Sequence, residues 1–475
     1  MSFPLPVMSV KPLDDKATKA DIDCAIALQF EEQKKLEDAL AVANGVLDDD
    51  PDHAMALLIA GRICTKMSRY GLAYNLLKRS LSVQERYDTR TNLAAACIGM
   101  QRLDEARRLL QEARRIRPND EKTLALLCLL AVYDCNPRLA IDLGNKSLGM
   151  KPDQKDVQES LGYAHLMLGD WPNGWHGYEN FIGASRYRPL KPPHADCPYW
   201  DGTEDIDLYV RGEQGLGDEI SFASILPEMI PRMRSVTFDC DEKLGGLFKR
   251  SFPNAEVHST RKSKQDDKDW LAGRTFDAHC LIGTLAYHRR QSTQSFPGTP
   301  YLVADPERRT QWRALLDTLP GKKVGVAWTG GSRGTFSVRR SLSLETMLPI
   351  LRTEGVSWIS LQYQDPMDDI REFHADHGIK IHHWARCTES NDYDDTAALV
   401  AELDLVISVP TAVCHLSGAL GKECWALTPL RPTWFWCLKD GAMPWHSSIK
   451  IIRRADENSP EKEVEQIRLM LEERL

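Results

Sequence analysis

Long apolar runs are missing from this 475-residue chain. No stretch of 18 consecutive apolar residues occurs, so no helical membrane span is expected. The opening MSFPLPVMSVKPLDDK lacks a basic start followed by an apolar core, so no secretory signal is expected and a cytoplasmic protein is predicted. C-x-x-C pairs are absent: the twelve cysteines are scattered from Cys24 to Cys437. That scatter predicts reduced, buried thiols rather than a disulfide framework or a zinc site. Excess basic charge is also lacking. The formal net charge of −8 argues against a general nucleic-acid binder. No Walker A pattern, H-E-x-x-H, G-x-S-x-G or kinase signature set is present, which removes the commonest nucleotide-hydrolysing, zinc-protease and serine-hydrolase chemistries. No metal site is predicted.

What the chain does have is a repeat. A small residue recurs at Ala39, Ala73, Ala106, Ala140 and Gly174, at intervals of 34, 33, 34 and 34. Twelve residues earlier stands another small residue in four copies: Gly61, Ala94, Cys128 and Gly162. Pro51, Pro118 and Pro152 follow at twelve residues in three copies. Small residues at both places let two antiparallel helices approach closely, and proline stops the second helix. This is the tetratricopeptide pattern, with four full copies and a fifth atypical one ending near GDWPNGWHGYENF. Residues 1–184 are assigned to an α-helical solenoid whose concave face takes a protein partner or, alternatively, supports the rest of the chain.

From about residue 185 the pattern changes. RYRPLKPPHADCPYWDG reads as a draped linker. Short β-branched runs then alternate with helical stretches. Strands are predicted at 207–211, 235–240, 255–259, 276–284, 323–328, 356–362, 379–384, 404–409, 423–428 and 448–454. Such alternation predicts two parallel-sheet, Rossmann-like α/β halves, at 185–310 and 311–475, with ligands at the carboxyl ends of the strands.

Three loops carry candidate chemistry. VRGEQGLGDEISFASILP follows the first strand, but its glycine spacing is not the dinucleotide fingerprint. VGVAWTGGSRGTFSVRRSLSL opens from a buried strand into Gly330-Gly331 and the arginines Arg333, Arg339 and Arg340, a composition suited to phosphate. DLVISVPTAVCHLSGALGK turns through Pro410 and Thr411 into a helix whose free amides suit a diphosphate, with His415 one turn in. Gln362 ends WISLQ, where its amide could meet a base or ribose. Asp239 and Asp241 have the spacing of some metal-dependent sugar transferases, but their place after the second strand favours a solvated strand end.

GEQGLGDEISFASILPEM, VGVAWTGG…RRSLSL, WISLQ, DTAALVAELDLVISVPTAVCHLSGALGKECWAL and PTWFWCLKDGAMPWHSSIKIIRR, in this order, resemble tetratricopeptide-repeat proteins with a GT-B glycosyltransferase region. That region is similar to the ADP-heptose:lipopolysaccharide heptosyltransferases. The resemblance implies a metal-independent transfer from a nucleotide-sugar co-substrate, with no other cofactor. It places the donor on the second half and the acceptor on the first. It makes Asp218 the base. Within the same loop Glu219 and Glu213 are the alternatives, and Gly215 and Gly217 are the acceptor-side glycines. The resemblance sets Thr411 and His415 against the donor's phosphates; the loop residues Trp328, Gly330, Arg339, Arg340 and Gln362 complete the predicted donor contacts. Pro410 departs from the group, which places an aspartate there. That departure leaves room for a different sugar or a non-catalytic descendant. The acceptor expected is a protein held by the repeats. A hydroxylated DNA base is the alternative, with the basic residues of 261–264 and Arg289-Arg290 as the place for it, and a lipid-linked sugar comes third. A non-catalytic interaction protein is the rival from another class.

Overall fold

The computed structural model describes residues 17–182, 197–261, 269–331, 337–388, 392–437 and 443–475. Arg333, the start of the linker and residues 262–264 lie outside these. The chain divides into two compact units, Met1–Ala164 and His165–Leu475.

The first unit is a ladder of helical hairpins. Its helices are α1 (Lys19–Glu32), α2 (Leu36–Asp49), α3 (Ala54–Lys66), α4 (Tyr70–Val83), α5 (Tyr87–Gly99), α6 (Leu103–Ile116), α7 (Glu121–Tyr133), α8 (Pro137–Met150) and α9 (Lys155–Leu168), which crosses the division. The predicted period appears directly in the backbone. Lys34, Ser68, Gln101 and Cys135, one per hairpin, carry φ of 63°, 61°, 64° and 52°. The left-handed residue turns the chain from each first helix into its second. Ala39, Ala73, Ala106 and Ala140 are fully buried, and a Cβ on Gly61 would come within 2.5 Å of Leu77 Cγ, which is why these positions stay small. Ser80 and Ser147, in the second helices of their hairpins, each donate a hydroxyl to the start of the preceding helix, at Ala54 O and Glu121 O, both 2.8 Å. A buried Glu31 holds Arg62 and Lys66, charges that would otherwise be costly inside a solenoid.

The second unit takes in the end of α9 from His165 and then α10 (Trp171–Asn180). The expected boundary at residue 184 therefore falls later than the observed one. The cause is aromatic: Trp171, Trp175 and Tyr178 stack into a cluster with Phe222, Phe296, Trp434 and Trp445. Rings of this size contribute much of a small domain's buried apolar area.

All ten predicted strands are present: β1 (Asp207–Arg211), β2 (Ser235–Asp239), β3 (Glu256–His258), β4 (Ala278–Leu281), β5 (Lys322–Ala327), β6 (Val356–Ser360), β7 (Ile381–His382), β8 (Leu405–Ser408), β9 (Cys424–Thr428) and β10 (Ile449–Arg453). They form two parallel sheets, of order β3-β2-β1-β4 and β10-β9-β8-β5-β6-β7. Every residue of β8 and β9 is buried, as expected for central parallel strands covered on both faces. Among the described residues the first sheet has four strands, in keeping with its short sequence. The expected division at 310/311 falls inside the helix Pro306–Leu316, which belongs with the second sheet. There Trp312 Nε1 donates to Asp395 at 3.2 Å, and Arg309 and Arg313 hold Glu402. The connecting segment is fixed by Tyr301 and Leu302, whose amides donate to Ala419 O at 2.9 and 3.0 Å. Among the described residues, no helix is long and apolar enough to cross a membrane.

Candidate functional site

The site forms where the two sheets' carboxyl-end loops meet. The glycine segment leaves β1 and enters α11 (Leu216–Ala223). Gly215 caps this helix, and its amide donates to the Asp218 carboxylate at 3.1 Å. Asp218 therefore sits in the first turn, half-buried. Burial, with the neighbouring Glu213 charge, outweighs the Gly215 amide and Arg340 and pushes its pKa up to about 6.

Against α11 stands the helix Ala412–Ala419, with Thr411 at its N-cap. Thr411 occupies the predicted position, but its side chain makes no capping bond. Its hydroxyl lies 3.3 Å from Ser408 Oγ. The helix packs directly on α11, because Gly217 has no side chain to keep it away: a Cβ there would stand 2.9 Å from His415 Cδ2 and 3.5 Å from Ala412 Cα. His415 is buried among Phe435, Trp436 and His446, and its Nδ1 lies 2.7 Å from Ser221 Oγ. Burial and the Arg340 charge push its pKa down to about 3, so the ring is neutral near pH 7.

The third wall is the loop after β5. Gly330 passes so close to Pro410 and Thr411 that a Cβ would come within 2.7 Å of Thr411 Cγ2. Its amide donates to Ser341 Oγ at 3.2 Å. Arg340 reaches back to Pro410 O at 3.3 Å and interacts electrostatically with Asp218. Arg339 lies beside it, and its carbonyl accepts from the buried Arg454. The structure thus brings Gly215, Gly217, Asp218, Gly330, Arg340, Thr411 and His415 near one another, whereas Arg339 is tied in only through its backbone carbonyl.

Other candidates take structural positions. Glu213 is buried and accepts the Gly283 amide at 2.9 Å. Glu219, fully buried, accepts the Asp241 amide at 2.7 Å and pairs with Arg261 at 2.6 Å. Gln362 does not reach into the mouth: its Oε1 takes the amides of Trp328 and Thr329, at 2.9 and 3.1 Å, and clamps that loop. Trp328 is buried and contributes packing. Asp239 and Asp241 are not a solvated strand end. Both are buried, Asp239 accepting from the Thr260 amide and hydroxyl and Asp241 pairing with Arg261.

Ser221 was not singled out by sequence. Its signal was present: it lies three residues after Asp218 and four after Gly217, hence on the same face of a helix. Beside the mouth, a cavity of about 660 Å³ is lined by Trp328, Thr329, Ser341 to Thr346, the acidic Asp369, Glu372, Asp376 and Glu457, and Arg454. Its carboxylates disfavour a diphosphate there and leave the Arg340 side as the better anion site.

The chain is thus a helical-repeat protein joined to an α/β unit of two parallel sheets. No family model matches it. It is 28% identical over 457 residues to Protein FlbA of Caulobacter vibrioides, an alignment covering 84% of this chain and 75% of that protein. Among solved structures it is similar to TTC0263, a thermophilic TPR protein of Thermus thermophilus, at 16% identity and a TM-score of 0.31, over 34% of this chain and 88% of that one. It is also similar to pilF of Pseudomonas aeruginosa, at 19% identity and a TM-score of 0.30, over 34% of this chain and 74% of that one. At these scores the architecture stands on the chain's own helices and strands.

Proposed function

We propose that this chain is a metal-independent glycosyltransferase of the GT-B type. It takes a nucleotide-sugar as co-substrate and modifies a macromolecule, a protein recruited by the helical repeats in preference to DNA. The observation that carries the reading is Asp218: a carboxylate with its pKa pushed up to about 6, at a mouth whose opposite wall is Arg340 and an uncapped helix N-terminus. A base with that pKa is ionised at neutral pH and still basic enough to take a proton. Asp218 removes the acceptor hydroxyl's proton as its oxygen bonds to the anomeric carbon. The bond from that carbon to the diphosphate breaks, and Arg340 with the 412–419 helix amides meets the leaving charge. Nine of the twelve cysteines are buried, which fits a reducing cytoplasm.

The test is a thermal-shift screen with UDP-, GDP-, ADP-, TDP- and CMP-sugars. Stabilisation by one identifies the donor, and the Arg339→Ala, Arg340→Ala double variant is expected to lose that shift. A second reading, a non-catalytic interaction protein, draws support from Pro410. Its carbonyl is engaged by Arg340 at the place where an acidic side chain would serve the donor. Absence of any shift across the panel selects that reading.

A further inference from the structure

We infer that Ser221 is a positioning residue: its hydroxyl donates to His415 Nδ1 and holds the ring as the Nε2–H tautomer, so that a neutral N–H faces the mouth. The Ser221–His415 contact stands on geometry alone, while the choice of tautomer and its role rest on the donor-site reading above.

Ser221 is fully buried, and its oxygen lies 2.7 Å from Nδ1, within the range of a strong hydrogen bond. A neutral imidazole has one donor and one acceptor nitrogen, and the bond at one nitrogen decides the role of the other. The opposite edge of the ring turns to the glycine loop. From the place where a Gly217 Cβ would stand, Cδ2 is 2.9 Å away and Nε2 3.7 Å. Nδ1 therefore faces Ser221, and the Cδ2–Nε2 edge faces the Gly217 backbone of the glycine loop.

The surroundings oppose an imidazolium. Phe435, Trp436 and the second imidazole, His446, enclose the ring, and the Arg340 charge acts on it. With a cation excluded, the ring can favour an anion only by presenting N–H. The other tautomer would turn an acceptor lone pair toward the anion, a repulsive arrangement. A serine at Nδ1 can donate, so it supplies what the Nε2–H form needs. Ser221 lies on the first half and His415 on the second, so the bond also joins the acceptor-side helix to the donor-side helix.

The test uses the full chain with ¹⁵N-labelled histidine, reading long-range ¹H–¹⁵N couplings, with His415 assigned by loss of its signals in His415→Asn. The expected result is a protonated Nε2 and an unprotonated Nδ1 in the native protein, and a mixture of tautomers in Ser221→Ala. Ser221→Cys keeps the size but donates weakly, and is expected to fall between. A protonated Nδ1 in the native protein, or a tautomer unchanged in Ser221→Ala, overturns the inference. Titration with UDP, GDP and ADP adds the role: Ser221→Ala is expected to weaken whichever binds by about fivefold, with unchanged circular dichroism. Unaltered diphosphate affinity overturns the role of the bond. If none of the three binds the native protein while the tautomer is as expected, the donor-site reading fails and the Ser221 geometry stands.

Discussion

Gly217 and His415 meet edge to backbone: a Cβ on the glycine would lie 2.9 Å from the imidazole Cδ2. The ring is fixed on its far side by Ser221 and by aromatic neighbours, so it cannot retreat. Gly217→Ala is therefore expected to destabilise the second unit by about 1–3 kcal/mol through overpacking. Gly215→Ala is the control, because its Cβ would meet only the Asp218 carboxylate, at 3.1 Å. Thermal unfolding of the two variants reads the difference, and an equal effect would place the constraint elsewhere.

Asp218→Asn separates stability from chemistry. The native carboxyl has a raised pKa, about 6 against a usual 3.8, so its contribution is most favourable below 3.8 and is lost as pH rises through about 6. At pH 7.5 the native state therefore carries an unfavourable buried charge. Replacing it with a neutral amide is expected to raise stability by on the order of 1 kcal/mol while abolishing transfer. In the unsubstituted protein, the transfer rate is expected to climb with pH through about 6 and then level. His415 adds no limb near neutrality, because it is already neutral there. A pH–rate profile with no rise between 5 and 7 would remove Asp218 from the base role.

The contrast between Asp218 and its neighbours shows where sequence was legible. The ten strands were readable because short apolar runs, most with β-branched residues, alternate with helical stretches. The repeat was readable because period, small residues and proline agree. The direction of a side chain was not readable in the same way. Asp218 and Glu219 are adjacent, yet a helix turns them about 100° apart. One reaches the cleft, and the other pairs with Arg261 inside the first half. Arg261 comes from a distant segment, so nothing local announces the pair. Gln362 failed for the same reason: its partners are backbone amides 33 and 34 residues away. Trp434 and Trp445, both packed on Trp175, explain why the last helix left the solenoid, a long-range packing effect that periodicity cannot contain.

Lys34 tests the repeat. It is exposed, and its φ of 63° is a conformation that costs an L-residue about 1 kcal/mol. Lys34→Gly relieves that cost without touching the core. The variant is expected to unfold at a higher temperature, with Ser68→Gly giving a similar gain at φ 61° in the next hairpin. A lower melting temperature for both would mean that the greater freedom of glycine in the unfolded chain outweighs the relief.

His446 governs the acid limb of stability. Both of its ring nitrogens are buried without a hydrogen-bond partner, and burial together with His415 pushes its pKa well below 6.5. His415 is likewise depressed. A depressed histidine keeps its full contribution above pH 6.5 and loses it as pH falls, because the unfolded chain binds a proton that the native site refuses. Each such residue lowers stability by about 1.4 kcal/mol per pH unit below that point. Asp218 works in the opposite sense between pH 3.8 and about 6, but it is one group against two. His446→Leu removes one of the two and ends the cost of its unpartnered nitrogens. The variant is expected to be at least as stable at pH 7.5 and to show a visibly flatter decline between pH 6.5 and 4.5 in urea denaturation. An unchanged slope would mean that His446 takes up a proton in the folded protein.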